Sequence, residues 1–238
     1  MDIVERRDLL DEFYELLDDL ERRLGGKRLL ETCNSRMKWP QRGVYFFFEN
    51  DELREDGRTP RVVRVGTHAL RPSSSTLWGR LAQHRGTDGG SMPGGGNHRG
   101  SIFRRHVGAA LLAAGKSSQC VRETWGEGST ATRAVREHEY ELERDVSNHI
   151  RRMSFLWLGV DDGPSPSSDR GTIERGAISL LSNLDRDVVD PCSPKWLGRS
   201  SDRRTIVESG VWNVNHVGES QNIAFLPVMK TWLAKLEL

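Results

Sequence analysis

Seven consecutive residues, 43–49 (GVYFFFE), set five apolar or aromatic side chains in a row between a glycine and a glutamate. A helix needs a longer repeat, and a half-exposed strand would alternate. An unbroken run this short predicts a strand buried on both faces. Residues 50–60 are polar and turn-rich, and residues 61–66 (RVVRVG) form a second β-branched run. Two such runs joined by a turn segment predict an antiparallel hairpin. A third strand is expected at residues 153–160 (MSFLWLGV).

Around these runs the spacing is helical. Leu9, Leu10, Phe13, Leu16, Leu17, Leu20 and Leu24 recur on one face, and Gly25 and Gly26 follow as a stop. This amphipathic helix has an acidic outer face, suited to core packing or to dimerisation. Residues 76–84 and 101–114 read as two helices, the second with Ser101 as its N-cap. A long polar helix is expected over 130–152, another over 171–184, a short one before Gly210 and a last one over 224–236. The order predicts an α+β fold: a small central, mostly antiparallel sheet flanked by helices, with an N-terminal helix and a helical C-terminal extension. Three parts are expected: residues 1–40 as the N-terminal extension, 41–185 as the core, and 186–238 packed on it.

Charge is distributed unevenly. The chain carries 35 basic and 34 acidic side chains, but residues 61–106 hold eight arginines and four histidines against the single acid Asp88. An arginine-rich, acid-poor segment is what a polyanion-binding face requires, although it also describes a solvated loop. No apolar run approaches a membrane span, and the acidic amphipathic start does not read as a signal peptide. Cys33, Cys120 and Cys192 are far apart and odd in number, which argues against a disulfide framework or a zinc site and for a reducing, cytoplasmic setting.

Within this pattern stand Gly43-Val44-Tyr45, then Arg64-Val65-Gly66, then Arg80 and His84 four apart in residues 77–85 (LWGRLAQHR), then Glu174 after the third strand. The ordered set resembles the GIY-YIG nuclease superfamily over roughly residues 43–183. The resemblance implies a metal-dependent endonuclease acting on DNA, with RNA as an alternative substrate. Its catalytic residues would be Tyr45, Arg80, His84 and Glu174. Arg80 would clamp a phosphate, and His84, on the same helix face, would contact it or carry a proton. Glu174 would bind one Mg2+ or Mn2+, ions that suit oxygen donors. Tyr45 would orient or activate water, unless it is only a buried aromatic of the sheet.

One member departs from the family pattern. Arg64 stands where the second triplet has tyrosine, and Thr67 where many members have lysine. The base is then Tyr45 or His68, and Arg64 becomes a phosphate ligand. Arg71, Arg85, His98, Arg99 and Asn183 complete the expected nucleic-acid contacts. The Arg64 departure also keeps open a non-catalytic nucleic-acid-binding protein, and the first helix keeps open an assembly scaffold. Gly115-Lys116-Ser117 is not a phosphate-binding loop, because Ala110 stands where its first glycine belongs and a helix precedes it. The Asn213–His216 stretch (NVNH) lacks a second element to make a histidine metal site and reads as turn and packing residues. Trp196 and Trp212 are expected to be buried.

Overall fold

The computed structural model describes residues 2–236. Helix α1 (Ile3–Leu24) starts at Asp2, whose carboxylate accepts from the Glu5 amide, and stops at Gly25, whose φ of 70° is a left-handed cap open to glycine. A two-residue strand β1 (Arg28–Leu29) follows, too short to leave any periodicity in the sequence. The hairpin forms as expected from β2 (Gly43–Leu53) and β3 (Pro60–Gly66), and β4 (Ser154–Gly159) joins its other side. The four strands form one antiparallel sheet in the order β1-β4-β2-β3, leaving β3 at an edge.

Both faces of this sheet are covered, which is why β2 is apolar without alternation. Val44, Phe46 and Phe48 join one core with Leu10, Phe13, Leu17 and Leu20 of α1, with α6 (Asp169–Leu181), and with α8 (Phe225–Leu233). Tyr45 and Phe47 join the other core with α2 (Leu77–Arg85), α3 (Ile102–Ala113) and α5 (Tyr140–Arg151), closed by the buried Trp196 and Trp212. The apolar face of α1 is thus committed to the protein's own core.

The polar stretch 130–152 is two helices, α4 (Arg133–His138) and α5, not one. At their junction the Glu139 carboxylate turns inward to take two hydrogen bonds from Arg99, at 2.6 and 2.9 Å. After α6, helix α7 (Arg204–Ser209) ends at Gly210, and the chain then runs along the open edge of β3. The Trp212 amide donates to the Val63 carbonyl at 2.7 Å. The Asn213 side chain donates to the Val65 carbonyl at 2.8 Å and accepts from the Val65 amide at 3.1 Å. These bonds occupy backbone groups that an edge strand would otherwise expose.

Candidate active site

A cavity of about 620 Å³ opens at the end of β3, lined among others by Tyr45, Arg64, Thr67, Arg80, His106 and Glu174. Tyr45 comes from β2 and is opposite Gly66 in the register. A Cβ at Gly66 would overlap the Tyr45 phenol, so the second triplet ends in glycine to leave room for that ring. Gly43 is small for a similar reason, since a Cβ there would meet the Leu158 carbonyl on the neighbouring strand.

Helix α2 is capped by Thr76, which accepts from the Gly79 amide at 3.0 Å. Its two candidate residues behave differently. Arg80 reaches the cavity and is braced by the Gln83 side chain at 2.9 Å and the Gly100 carbonyl at 3.1 Å. His84 is fully buried behind Tyr45, with Nε2 2.8 Å from the Tyr45 hydroxyl and Nδ1 2.8 Å from Ser101 Oγ. Burial holds the His84 pKa well below the usual imidazole value, helped by Arg80, Arg64 and Arg104, so the ring is neutral.

Hydrogen-bond accounting assigns the His84 tautomer. Ser101 is buried, and its hydroxyl meets two groups among the described residues: the Arg104 amide at 3.4 Å, which only donates, and His84 Nδ1. The hydroxyl hydrogen is satisfied only if it goes to Nδ1. The ring proton therefore sits on Nε2 and donates to the Tyr45 oxygen. Tyr45 keeps its own hydrogen for the cavity.

Glu174 approaches from the other side of the sheet. Its helix α6 packs on the opposite core, and the side chain comes round the β3 edge to accept from the Thr67 amide at 3.0 Å. Thr67 is itself held by a bond from its hydroxyl to the Gly43 carbonyl at 2.8 Å. Burial pushes the Glu174 pKa up, and the Thr67 N–H, Arg64, His216 and Arg80 oppose that shift. Among the described residues no group of three or more His, Cys, Asp or Glu side chains could hold a metal. Glu174 is the one carboxylate among the lining residues, and no cysteine lies with it. That fits a hydrated Mg2+ or Mn2+ ion, which takes one or two carboxylates and completes its shell with water and phosphate oxygens, and does not fit a closed zinc site.

Arg64 stands two residues before Gly66 on β3 and is 6% exposed. Its guanidinium donates to the Trp212 carbonyl at 2.9 Å and lies over the Phe103 ring, 4.6 Å from its centroid. Burial lowers its pKa, against the pull of Tyr45 and Glu174.

The remaining expected contacts separate from the cavity. His68 is buried beside it, with Nε2 3.3 Å from the Gln41 carbonyl, and is not among the lining residues. Burial takes its pKa down to about 4. Arg71 is exposed on the loop next to Leu70, which does line the cavity. Arg85 turns away to the Cys33 carbonyl at 2.7 Å and to Asp88. His98 and Arg99, expected on a loop facing nucleic acid, are internal. His98 is stacked on Trp125 and bonded to Glu143 at 2.9 Å, while Arg99 is paired with Glu139. Asn183 is buried too, accepting from Arg6 at 2.9 Å and from the Val189 amide at 3.0 Å. The partners of His98 and Arg99 are 45 and 40 residues away along the chain, so the glycine-rich sequence around them gave no sign of these anchors.

Other lining residues had no such assignment: His106 on α3, Arg203 before α7, and Trp212, Asn213 and His216 on the edge segment. His106 lies in the arginine-rich window, and Asn213 and His216 belong to the stretch read as turn and packing. Only the sheet-edge path of the C-terminal chain brings Trp212, Asn213 and His216 to this cavity.

A model of the GIY-YIG domain matches residues 4–238. The chain belongs to the GIY-YIG domain family. No curated protein and no solved structure gives a significant match. Membership points to nuclease-type chemistry on phosphodiester bonds, and the matched span takes in α1 and the C-terminal segment as well as the hairpin. No helix among the described residues is long and apolar enough to cross a membrane.

Proposed function

We propose that this GIY-YIG domain protein is a metal-dependent endonuclease that hydrolyses phosphodiester bonds in DNA, with restriction, genome defence or repair as its setting. One observation carries the proposal: Tyr45, Arg80 and Glu174, from three separate elements, line a single cavity. Arg80, held at its Nη1 by Gln83 and Gly100, has guanidinium edges left to bind a non-bridging phosphate oxygen. Tyr45, fixed through its oxygen by His84, directs its hydrogen toward the attacking water or the phosphate. Of the two candidate bases, Tyr45 lines the cavity and His68 does not. Glu174 would hold Mg2+ or Mn2+, which when bound supplies Lewis-acid stabilisation of the phosphate charge. His84 acts through Tyr45 as a positioning residue, because it has no route to substrate.

The test is cleavage of plasmid DNA by purified protein with Mg2+ or Mn2+. Cleavage that requires the ion and disappears in Glu174→Ala and Arg80→Ala supports the assignment. Persistence in both variants overturns it. A second reading is a catalytically inactive nucleic-acid-binding protein, favoured by Arg64 in place of tyrosine. It predicts DNA binding that is independent of divalent ions and unaccompanied by cleavage. A cytoplasmic setting is in keeping with three free cysteines.

A further inference from the structure

Two buried nitrogens at this cavity have no partner among the described residues: Arg64 Nε and His106 Nε2. Both side chains are more than nine-tenths buried, at 6% and 4% exposure, and both line the cavity. Buried polar groups without a partner are costly, so the Arg64 Nε–H and the His106 ring nitrogen together mark a place where a ligand supplies the partners. A third cation, Arg203, lines the same wall and is about half-exposed, with Asp202 at 4.0 Å as its nearest acid. Glu174 is the one carboxylate in the lining, against Arg64, Arg80 and Arg203.

We infer that Arg64, His106 and Arg203 form a second phosphate subsite, which binds the backbone phosphate next to the one held by Arg80 and Glu174. This rests on the nuclease-type reading of the same cavity. The ligand class follows from the donors. Arg64 offers a planar fork, His106 offers an N–H to an anion when its proton is on Nε2, and Arg203 adds a half-exposed charge. Together these suit a tetrahedral anion with several oxygens. A second phosphate is indicated because the charges that bear on His106 are Arg64, Arg203 and Arg105, whereas those that bear on Glu174 are Arg64, His216 and Arg80. Arg64 is also two strand residues from Gly66, the partner of Tyr45, a backbone separation of about 7 Å. In this arrangement the arginine in the second triplet is a gain of substrate contact.

The test reads the His106 ring by NMR in full-length, histidine-labelled protein without divalent ions. The probes are inorganic phosphate and a short DNA duplex. Both are expected to shift the His106 resonances saturably, and the shift is expected to fade in Arg64→Met and in Arg203→Met. Arg203 is on the surface, so its variant stays informative if Arg64→Met folds poorly. In the wild type, a neutral methylphosphonate at the linkage beside the cleaved one should weaken duplex binding about tenfold, the order expected for a charged hydrogen-bonded contact. In Arg203→Met that loss should shrink. No His106 response to either probe overturns the inference, and so does a response to inorganic phosphate alone, which would make the site one for a free anion. Plasmid cleavage by the same preparation separates the two ideas. Cleavage with a silent His106 removes the subsite and leaves the nuclease, and a responsive His106 without cleavage does the reverse.

Discussion

Two cavities of similar size, about 680 and 620 Å³, have arginines in or beside their walls, and they differ in what those arginines meet. Beside the glycine-rich loop, Arg99 is paired with Glu139, and Arg104 is bound by Glu143, which also takes His98. Every buried charge there is answered within the chain. At the β3 edge, Arg64, Arg80 and Arg203 line a cavity in which Glu174 is the one carboxylate, and two buried nitrogens go without partners among the described residues. The first region is a polar brace that fixes α3 against α5. The second is a set of donors waiting for an acceptor. Arginine content alone does not separate structure from function; the supply of nearby carboxylates does.

The contrast can be broken in four ways, the largest first. Glu143→Ala should cost about 3–5 kcal/mol of folding stability, because it leaves the fully buried Arg104 unpaired. Urea unfolding measures this, and a loss under 1 kcal/mol would mean that the brace is not one. Arg80→Ala should instead leave the unfolding midpoint close to wild type and lower the cleavage rate about 10²–10³-fold, the range for removing a preorganised donor. Equal effects of the two variants on stability would erase the distinction between the regions.

The third prediction concerns pH. His68 and His106 have folded pKa values near 4, and His84 lies well below its ordinary 6.5. Between about pH 6.5 and pH 4 the unfolded chain binds protons that these folded rings refuse. Stability therefore falls as pH falls through that window, by up to about 1.4 kcal/mol per pH unit for each ring. His106→Gln should flatten the slope by about one ring's share, as read from denaturant midpoints at several pH values. Glu174 has the opposite sign at higher pH. Its raised pKa means the buried carboxylate costs stability once ionised, so Glu174→Gln should modestly stabilise the metal-free protein at neutral pH. The smallest effect is at Ser101. Ser101→Ala removes a helix cap worth about 1 kcal/mol and releases the His84 tautomer. Nitrogen NMR of His84 should report the proton on Nε2 in the wild type and a mixture in the variant, and Ser101→Thr should restore it. A wild-type proton on Nδ1 would refute the assignment.

Much of the scaffold was legible because its signals are local. The unbroken run at residues 43–49, the hairpin, the caps at Ser101 and Gly25 and the helix of Glu174 all follow from neighbours in sequence. The break between α4 and α5 was not legible, since Glu139 turns inward to meet an arginine forty residues away. Nor was the fate of His98, Arg99 and Asn183, whose polar types suit an exposed position equally well. Conversely, His106 gave no sign of bordering Glu174.

By itself, the sequence determined the order of elements, the both-faces burial of β2, and the residues able to do phosphate chemistry, because periodicity and side-chain chemistry are properties of the chain. Only the tertiary structure decided which of those residues share a space. Tyr45 and Arg80 lie on one side of the sheet and Glu174 on a helix of the other, and they meet because β3 ends at an edge around which a carboxylate can reach. The same edge, sealed by the strand-like path through Trp212 and Asn213, sets Arg64 and His106 in a cavity wall whose unanswered donors no stretch of sequence contains.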